Sequence, residues 1–203
     1  IYVATMARSK NMPTKLATQT TSAGDLDGYA FELNPDCSDL LWGTYIGGIK
    51  QDAFYSIVLE QSSKRIILGG GTASDNIQTK GDVFSEDLHG DIDGLLAIFD
   101  STKTLEALTY WGTPKYDQIY FVDTDVDGRI YATGQTEGNL LKTAGAFGDA
   151  GKGQFVFRID TLLKTVDLQT TFGNTIGRPN LAPSAFLVDV CGHIYFSGWG
   201  ATV

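Results

Sequence analysis

The chain has 203 residues, 42% of them apolar, which suffices for one domain with a substantial core or for a large part of one. Its formal net charge is −9, from 15 basic and 24 acidic side chains, so the clustered Lys/Arg surface that phosphate binding needs is missing and nucleic acid is not an expected partner. No apolar run approaches the roughly 20 residues of a membrane span, and two cysteines do not make a disulfide scaffold.

Glycine supplies 24 of the 203 residues, about 12% against a usual share of about 7%. With short runs rich in Thr, Tyr, Phe and Ile, it points to many short strands joined by tight turns. The first such run, Ile1-Tyr2-Val3-Ala4-Thr5, returns as Ile66-Ile67-Leu68-Gly69-Gly70, Ile130-Tyr131-Ala132-Thr133-Gly134 and Ile194-Tyr195-Phe196-Ser197-Gly198. The starts lie 65, 64 and 64 residues apart. Three further motifs keep that beat. Asn11-Met12-Pro13-Thr14-Lys15 returns as Asn76-Ile77-Gln78-Thr79-Lys80 and, loosely, as Asn139-Leu140-Leu141-Lys142-Thr143. Asp27–Leu33 returns as Asp93–Phe99 and Gly153–Ile159. Thr44-Tyr45-Ile46-Gly47 returns as Thr109-Tyr110-Trp111-Gly112 and Thr170-Thr171-Phe172-Gly173.

Each unit holds four strand-like runs. In the second they are about Ala53–Glu60, Ile66–Gly71, Gly94–Asp100 and Leu105–Gly112; in the third, 118–125, 130–135, 154–160 and 165–173. Asp127-Gly128 marks a tight hairpin. A loop of about 20 residues separates the second and third runs of each unit. No helical period is sustained anywhere, so no crossover helix is available.

Four antiparallel strands repeated about one axis describe a blade of a β-propeller, and a lone meander cannot bury both faces without neighbours. A parallel solenoid fits less well, because its coils are much shorter and lack hairpins. The predicted fold is therefore all-β: 1–52 is the end of one blade, 53–117 and 118–183 are complete blades, and 184–203 starts the next. That makes thirteen strands, too few for a closed ring, so the segment is expected to be an ordered part of a longer protein. Gly47, Gly112 and Gly173 are expected to permit close packing or positive φ at strand ends. Trp42, Trp111 and Trp199 are expected to pack between blades, in preference to forming a carbohydrate-stacking surface.

Chemistry-bearing motifs are few. Asp123, Asp125 and Asp127 have the spacing that opens a calcium loop, but the twelfth position is Gly134 where a bidentate Glu is required. An exposed Asp-Gly hairpin explains them. Asp25 and Asp27, with their repeats Asp91 and Asp93, are a second set of Ca²⁺ candidates, equally explained as turn-capping carboxyls. Otherwise no cofactor is expected. Gly148–Gly153 fails as a phosphate loop because Gly153 falls where Ser or Thr is needed. His89 and His193 are the two histidines, and His193 reads as a turn residue beside a strand. No nucleophile elbow or zinc-type Cys/His cluster is evident. Free thiols are expected at Cys37 and Cys191.

On Asp27–Pro35, Thr44–Gly48, Ile130–Gly134 and Gly145–Phe147, the chain resembles the SBBP repeat family, whose name denotes a seven-bladed β-propeller. It departs from that pattern at Glu32, at the third unit's missing Asp-Gly start, and at Thr171-Phe172. The run Phe186–Gly200 is similar to a stretch in very large Bacteroidota surface proteins of the gliding-motility and type IX secretion class. The resemblance implies a non-catalytic module of a secreted, cell-surface protein, acting as scaffold and adhesion platform. Its partners would be a protein or a cell-surface glycan, other domains of the same long chain, and the secretion machinery. The long loops 7–26, 72–92 and 136–152 are the expected contact segments. The alternatives are a polysaccharide-active enzyme with part of its site on absent blades, or a subunit of a secretion or motility complex.

Overall fold

The computed structural model describes residues 1–200, and the backbone alone at 174–176. Among the described residues there are thirteen strands and no helix. The first sheet is β1 (Tyr2–Ala7), β2 (Asp27–Leu33) and β3 (Leu40–Ile46); the second is β4 (Asp52–Leu59), β5 (Ile66–Thr72), β6 (Asp93–Phe99) and β7 (Leu105–Trp111). The third is β8 (Asp117–Thr124), β9 (Ile130–Thr136), β10 (Lys152–Ile159) and β11 (Val166–Ile176); the fourth is β12 (Leu181–Val188) with β13 (Ile194–Gly200). Every sheet is an antiparallel meander in chain order. The described residues do not close a ring.

The second sheet shows why its strands read as nearly unbroken apolar runs. Ile66 and Leu68 of β5, and Leu95, Ala97 and Phe99 of β6, join a core with Ala30, Trp42 and Ile46 of the first sheet. Their alternates Ile67, Leu96 and Ile98 join a second core with Ile119, Val122, Phe155 and Phe157 of the third sheet. Side chains alternate across a strand, so both faces of this sheet are covered. The contacts run in series: β4 packs on β1 and β2, β8 on β4, β5 and β6, and β12 on β8 and β9.

Aromatic rings bridge each junction. Trp42 meets Phe99 edge-on at 4.9 Å, Trp111 lies 4.4 Å from both Phe155 and Phe157, and Phe172 meets Phe196 at 5.4 Å. Trp42 and Trp111 are fully buried. Trp199 differs from expectation: it is 69% exposed, because among the described residues β13 has no third strand beside it and the third sheet meets it through Phe196, not through Trp199.

The first strand of the last three sheets carries the same irregularity. Pairing slips by one residue between Phe54 and Ser56, between Ile119 and Phe121, and between Pro183 and Ala185, leaving Tyr55, Tyr120 and Ser184 as spare bulge residues. The partners there are Gly70, Gly134 and Gly198. A Cβ on Gly70 or Gly134 would overlap the carbonyl oxygen of Ala53 or Gln118. This steric demand accounts for the glycine that ends the Ile-Tyr-type motif. Gly47 and Gly112 have another duty, since a Cβ on either would lie 2.7 Å from the Asp27 or Asp93 carboxyl carbon. Gly173 departs from both: it lies inside β11, which runs on to Ile176, and has φ of 118°.

The short hairpins lie at the end opposite the long loops, and four share one device. Asp100, Asp125, Asp160 and Asp189 each accept the N–H groups two and four residues on, at 2.7–3.1 Å. The residue three on is left-handed: Lys103, Gly128, Leu163 and Gly192. At the β4–β5 turn Glu60 takes this role. Burial opposes its ionisation, but the Ser62 and Ser63 hydroxyls and N–H groups outweigh burial and hold its pKa down at about 2.

Two outcomes follow from these features. Gly134→Ala is expected to lower stability by about 1–3 kcal/mol, read from urea denaturation. Glu60 has a folded pKa below its unfolded value, so its contribution is complete above pH 4.5 and is lost as pH falls towards about 2. Melting temperatures across that window should therefore fall less steeply in Glu60→Gln than in the parent, by the equivalent of at most about 3 kcal/mol.

Candidate functional site

The meander puts three long connections, 8–26, 73–92 and 137–151, at the end where β2, β4, β6 and β8 begin. Each folds back along the outer strand of its own sheet. Lys15 and Gly43 exchange backbone hydrogen bonds at 3.0 Å, Lys80 and Leu108 do so at 3.1 Å, and Thr143 N–H donates to the Gln169 carbonyl at 2.8 Å. The repeated Thr-Lys element is thus an edge cover, shielding unpaired groups of β3, β7 and β11.

The Thr-Tyr motif fastens the same loops. Thr44 Oγ1 accepts the Thr18 and Gln19 N–H groups at 3.1 Å, and Thr109 Oγ1 accepts the Ser85 N–H at 3.0 Å. The Tyr45 hydroxyl accepts the Met12 N–H at 2.8 Å and donates to the Ser9 carbonyl at 2.6 Å. Tyr110 repeats this with the Ile77 N–H at 3.1 Å and the Ser74 carbonyl at 2.8 Å. In the third unit Thr171 stands at this position, and its shorter side chain holds the end of the loop instead: its hydroxyl accepts the Lys152 N–H at 3.2 Å and donates to the Asp149 carbonyl. Burial pushes the Tyr110 phenol up to about 12, so it stays a donor at neutral pH.

The Asp-Gly motif is a third fastening. Asp27 is fully buried and accepts the Ala23 and Gly24 N–H groups at 2.8 and 2.9 Å, the Ser22 hydroxyl at 3.0 Å and Gln19 Nε2 at 3.0 Å. Asp93 is equally buried and accepts the His89 and Gly90 N–H groups at 2.7 and 3.0 Å. Two further buried carboxyls open the first strands. Asp52 is bonded by Thr72, Ser74 and the Gly48 N–H, and Asp117 by the Thr113 N–H and hydroxyl. Burial pushes Asp52, Asp93 and Asp117 above the ordinary carboxylate range.

These bonds bear on the calcium candidates. Asp27 and Asp93 direct their oxygens at loop donors, while Asp25 and Asp91 are exposed. Asp123 accepts the Val188 N–H of β12 at 2.8 Å, Asp125 caps its hairpin, and Asp127 lies 3.7 Å from Arg129. None of the seven belongs to a cluster of three ligating side chains among the described residues. Cys37 and Cys191 are free and exposed.

The loops leave one groove of note, about 630 Å³, where the first and second sheets meet at their outer strands. Leu16, Ile77, Leu105 and Leu108 give it apolar walls, and Thr18, Gln19, Gln78, Thr79, Lys80 and Thr104 supply hydroxyl, amide and ammonium groups. Lys103 enters at its base, held 2.7 Å from Glu32 and 5.0 Å from the Tyr2 ring centroid. The corresponding junction between the second and third sheets is bridged. There the Phe84 N–H donates to the Leu163 carbonyl at 2.7 Å, and Lys164 pairs with Asp82. Leu163, buried, occupies the turn position of Lys103, and the space left at this junction is smaller, about 370 Å³, between Gly81, Asp82, Ala107 and Lys164.

Tyr110→Phe should strand the buried Ile77 N–H and cost about 1–3 kcal/mol, read by urea denaturation together with faster amide exchange at Ile77. Comparison of the chain with protein-family models and with curated proteins gives no match.

Proposed function

We propose that this chain is a β-propeller portion of a secreted cell-surface protein, a non-catalytic scaffold whose loop end recognises a cell-surface glycan or a protein. The observation that carries this reading is the second sheet, whose two faces are each covered by a neighbouring meander in series, with all three long loops gathered at one end. Sheets stacked in this way are the building plan of propellers, and loops on a rigid scaffold are where binding concentrates. The groove between the first two sheets has the mixed lining, apolar walls with several hydrogen-bonding groups, that suits an extended polar chain. The secreted location and the link to gliding motility rest on the resemblance of Phe186–Gly200 and the repeat motifs.

Binding is favoured over polysaccharide cleavage by the use made of the buried carboxyls. Asp27, Asp52, Asp93 and Asp117 hold loops and strand ends together, and none lines the groove. An acid–base pair would have to face the substrate.

A glycan array probed with the chain, followed by hydrolysis assays on every glycan retained, tests the reading. We expect retention without cleavage, weakened about tenfold or more in a Gln78→Ala/Lys80→Ala double variant. Turnover of a retained glycan would overturn the non-catalytic assignment. Retention unaltered in the double variant would overturn the groove.

A further inference from the structure

We propose that the turn joining β12 to β13 binds a divalent transition-metal ion of the zinc type through the Asp189 carboxylate, the Cys191 thiolate and the His193 imidazole. These three are the one group of ligating side chains among the described residues whose ligand atoms gather within 4.8 Å of one another. The backbone holds them there in advance. Asp189 Oδ1 accepts the Cys191 and His193 N–H groups at 2.8 and 2.9 Å. The Gly192 N–H donates to the Asp189 carbonyl at 2.9 Å, and the Asp189 N–H to the His193 carbonyl at 3.0 Å.

The turn frame explains the convergence. Its first, third and fifth side chains share one side, and they also meet at the equivalent hairpins: the Thr102 and Thr104 hydroxyls are 3.2 Å apart, and Arg129 is 3.7 Å from Asp127. Among these four hairpins, this one alone has Cys and His at the third and fifth positions. His193 Nδ1 lies 3.0 Å from Asp189 Oδ2, and a tetrahedral ion with bonds of about 2.0 Å spans such an edge at roughly 3.3 Å. The ion can therefore replace the hydrogen between them with a small outward shift, and the exposed Cys191 closes by rotation about χ1. The Tyr195 hydroxyl, 3.1 Å from Oδ2, steadies the carboxylate from behind.

A thiolate with an imidazole selects zinc-like ions over calcium or magnesium. The exposure of Cys191 and His193 leaves a fourth position for water. On binding, the Cys191 S–H bond breaks and its proton passes to solvent, the proton on His193 Nδ1 is relocated to Nε2 through solvent, and S–metal, N–metal and O–metal bonds form; nothing is oxidised or reduced. The Asp-x-Cys-x-His spacing matches neither the Cys-x₂₋₄-Cys nor the His-x₃₋₅-His pattern that marks zinc sites in a sequence.

Titration of the untagged, reduced chain with Co²⁺ as spectroscopic probe tests the site. We expect one equivalent to give a thiolate-to-cobalt charge-transfer band that Zn²⁺ displaces. The band should persist in Cys37→Ser, vanish in Cys191→Ser, and require about tenfold or more Co²⁺ in His193→Ala, with circular dichroism confirming that each variant is folded. No band in the parent chain, a band surviving Cys191→Ser, or unchanged affinity in His193→Ala would each overturn the proposal.

Discussion

A four-stranded meander has two faces and one chain with which to cover them, and that constraint governs this molecule. The second sheet resolves it by dividing alternate residues of β5 and β6 between two cores, one shared with each neighbour. Each buried aliphatic side chain contributes on the order of 1.5–3 kcal/mol, so the junctions are the main source of cohesion. The first sheet resolves its outer face differently. Tyr29 and Tyr45 there form a small cluster with Ala7, Met12 and Phe31, and the 8–19 loop is drawn over it by hydrogen bonds from Tyr29 to Pro13 and from Tyr45 to Ser9.

Loop fastening follows from the same arrangement. The polar residues of the repeat motifs do not line an open site; they hold backbone to backbone. Buried Thr hydroxyls, Tyr phenols and Asp carboxyls satisfy amide groups that long loops would otherwise leave unpaired near a core. The price is three carboxyls pushed above their ordinary values. It leaves the solvent side of each loop free to vary, and the groove beside Lys103 shows such variation: its counterpart at the next junction is smaller and is crossed by the Phe84–Leu163 backbone hydrogen bond.

Much of this architecture was legible in the sequence, because period and turn chemistry are local properties. The strands of the second sheet begin and end within about one residue of the runs read from alternation and Gly/Asp punctuation. β11 was harder, since Gly173 imitates a strand end yet sits inside the strand at positive φ. The turn-capping role of Asp27 and Asp93 was open to the sequence, because their partners lie three and four residues away. The purpose of Thr44-Tyr45 was not legible, because its partners lie 25–36 residues away in a long loop. Trp199 was misjudged because a tryptophan on a strand reads as core, whereas burial depends on which neighbour is present. The Asp189–His193 turn escaped notice because its convergence belongs to the capped backbone, a property that spacing rules for zinc do not encode.

The bulge in the first, inner strand of each of the last three sheets works as a keyway: the backbone carbonyl of Ala53, Gln118 or Ala182, just before the bulge, fits because Gly70, Gly134 or Gly198 faces it without a side chain. A slip by one residue would jam the key, so alignment within each unit is enforced sterically. The same notch is cut three times, however, and it accepts any of the three inner strands alike. It cannot tell one unit's strand from another's, so protection against exchange between repeats falls to the short tethers along the chain and to the unlike aromatic pairs at successive junctions.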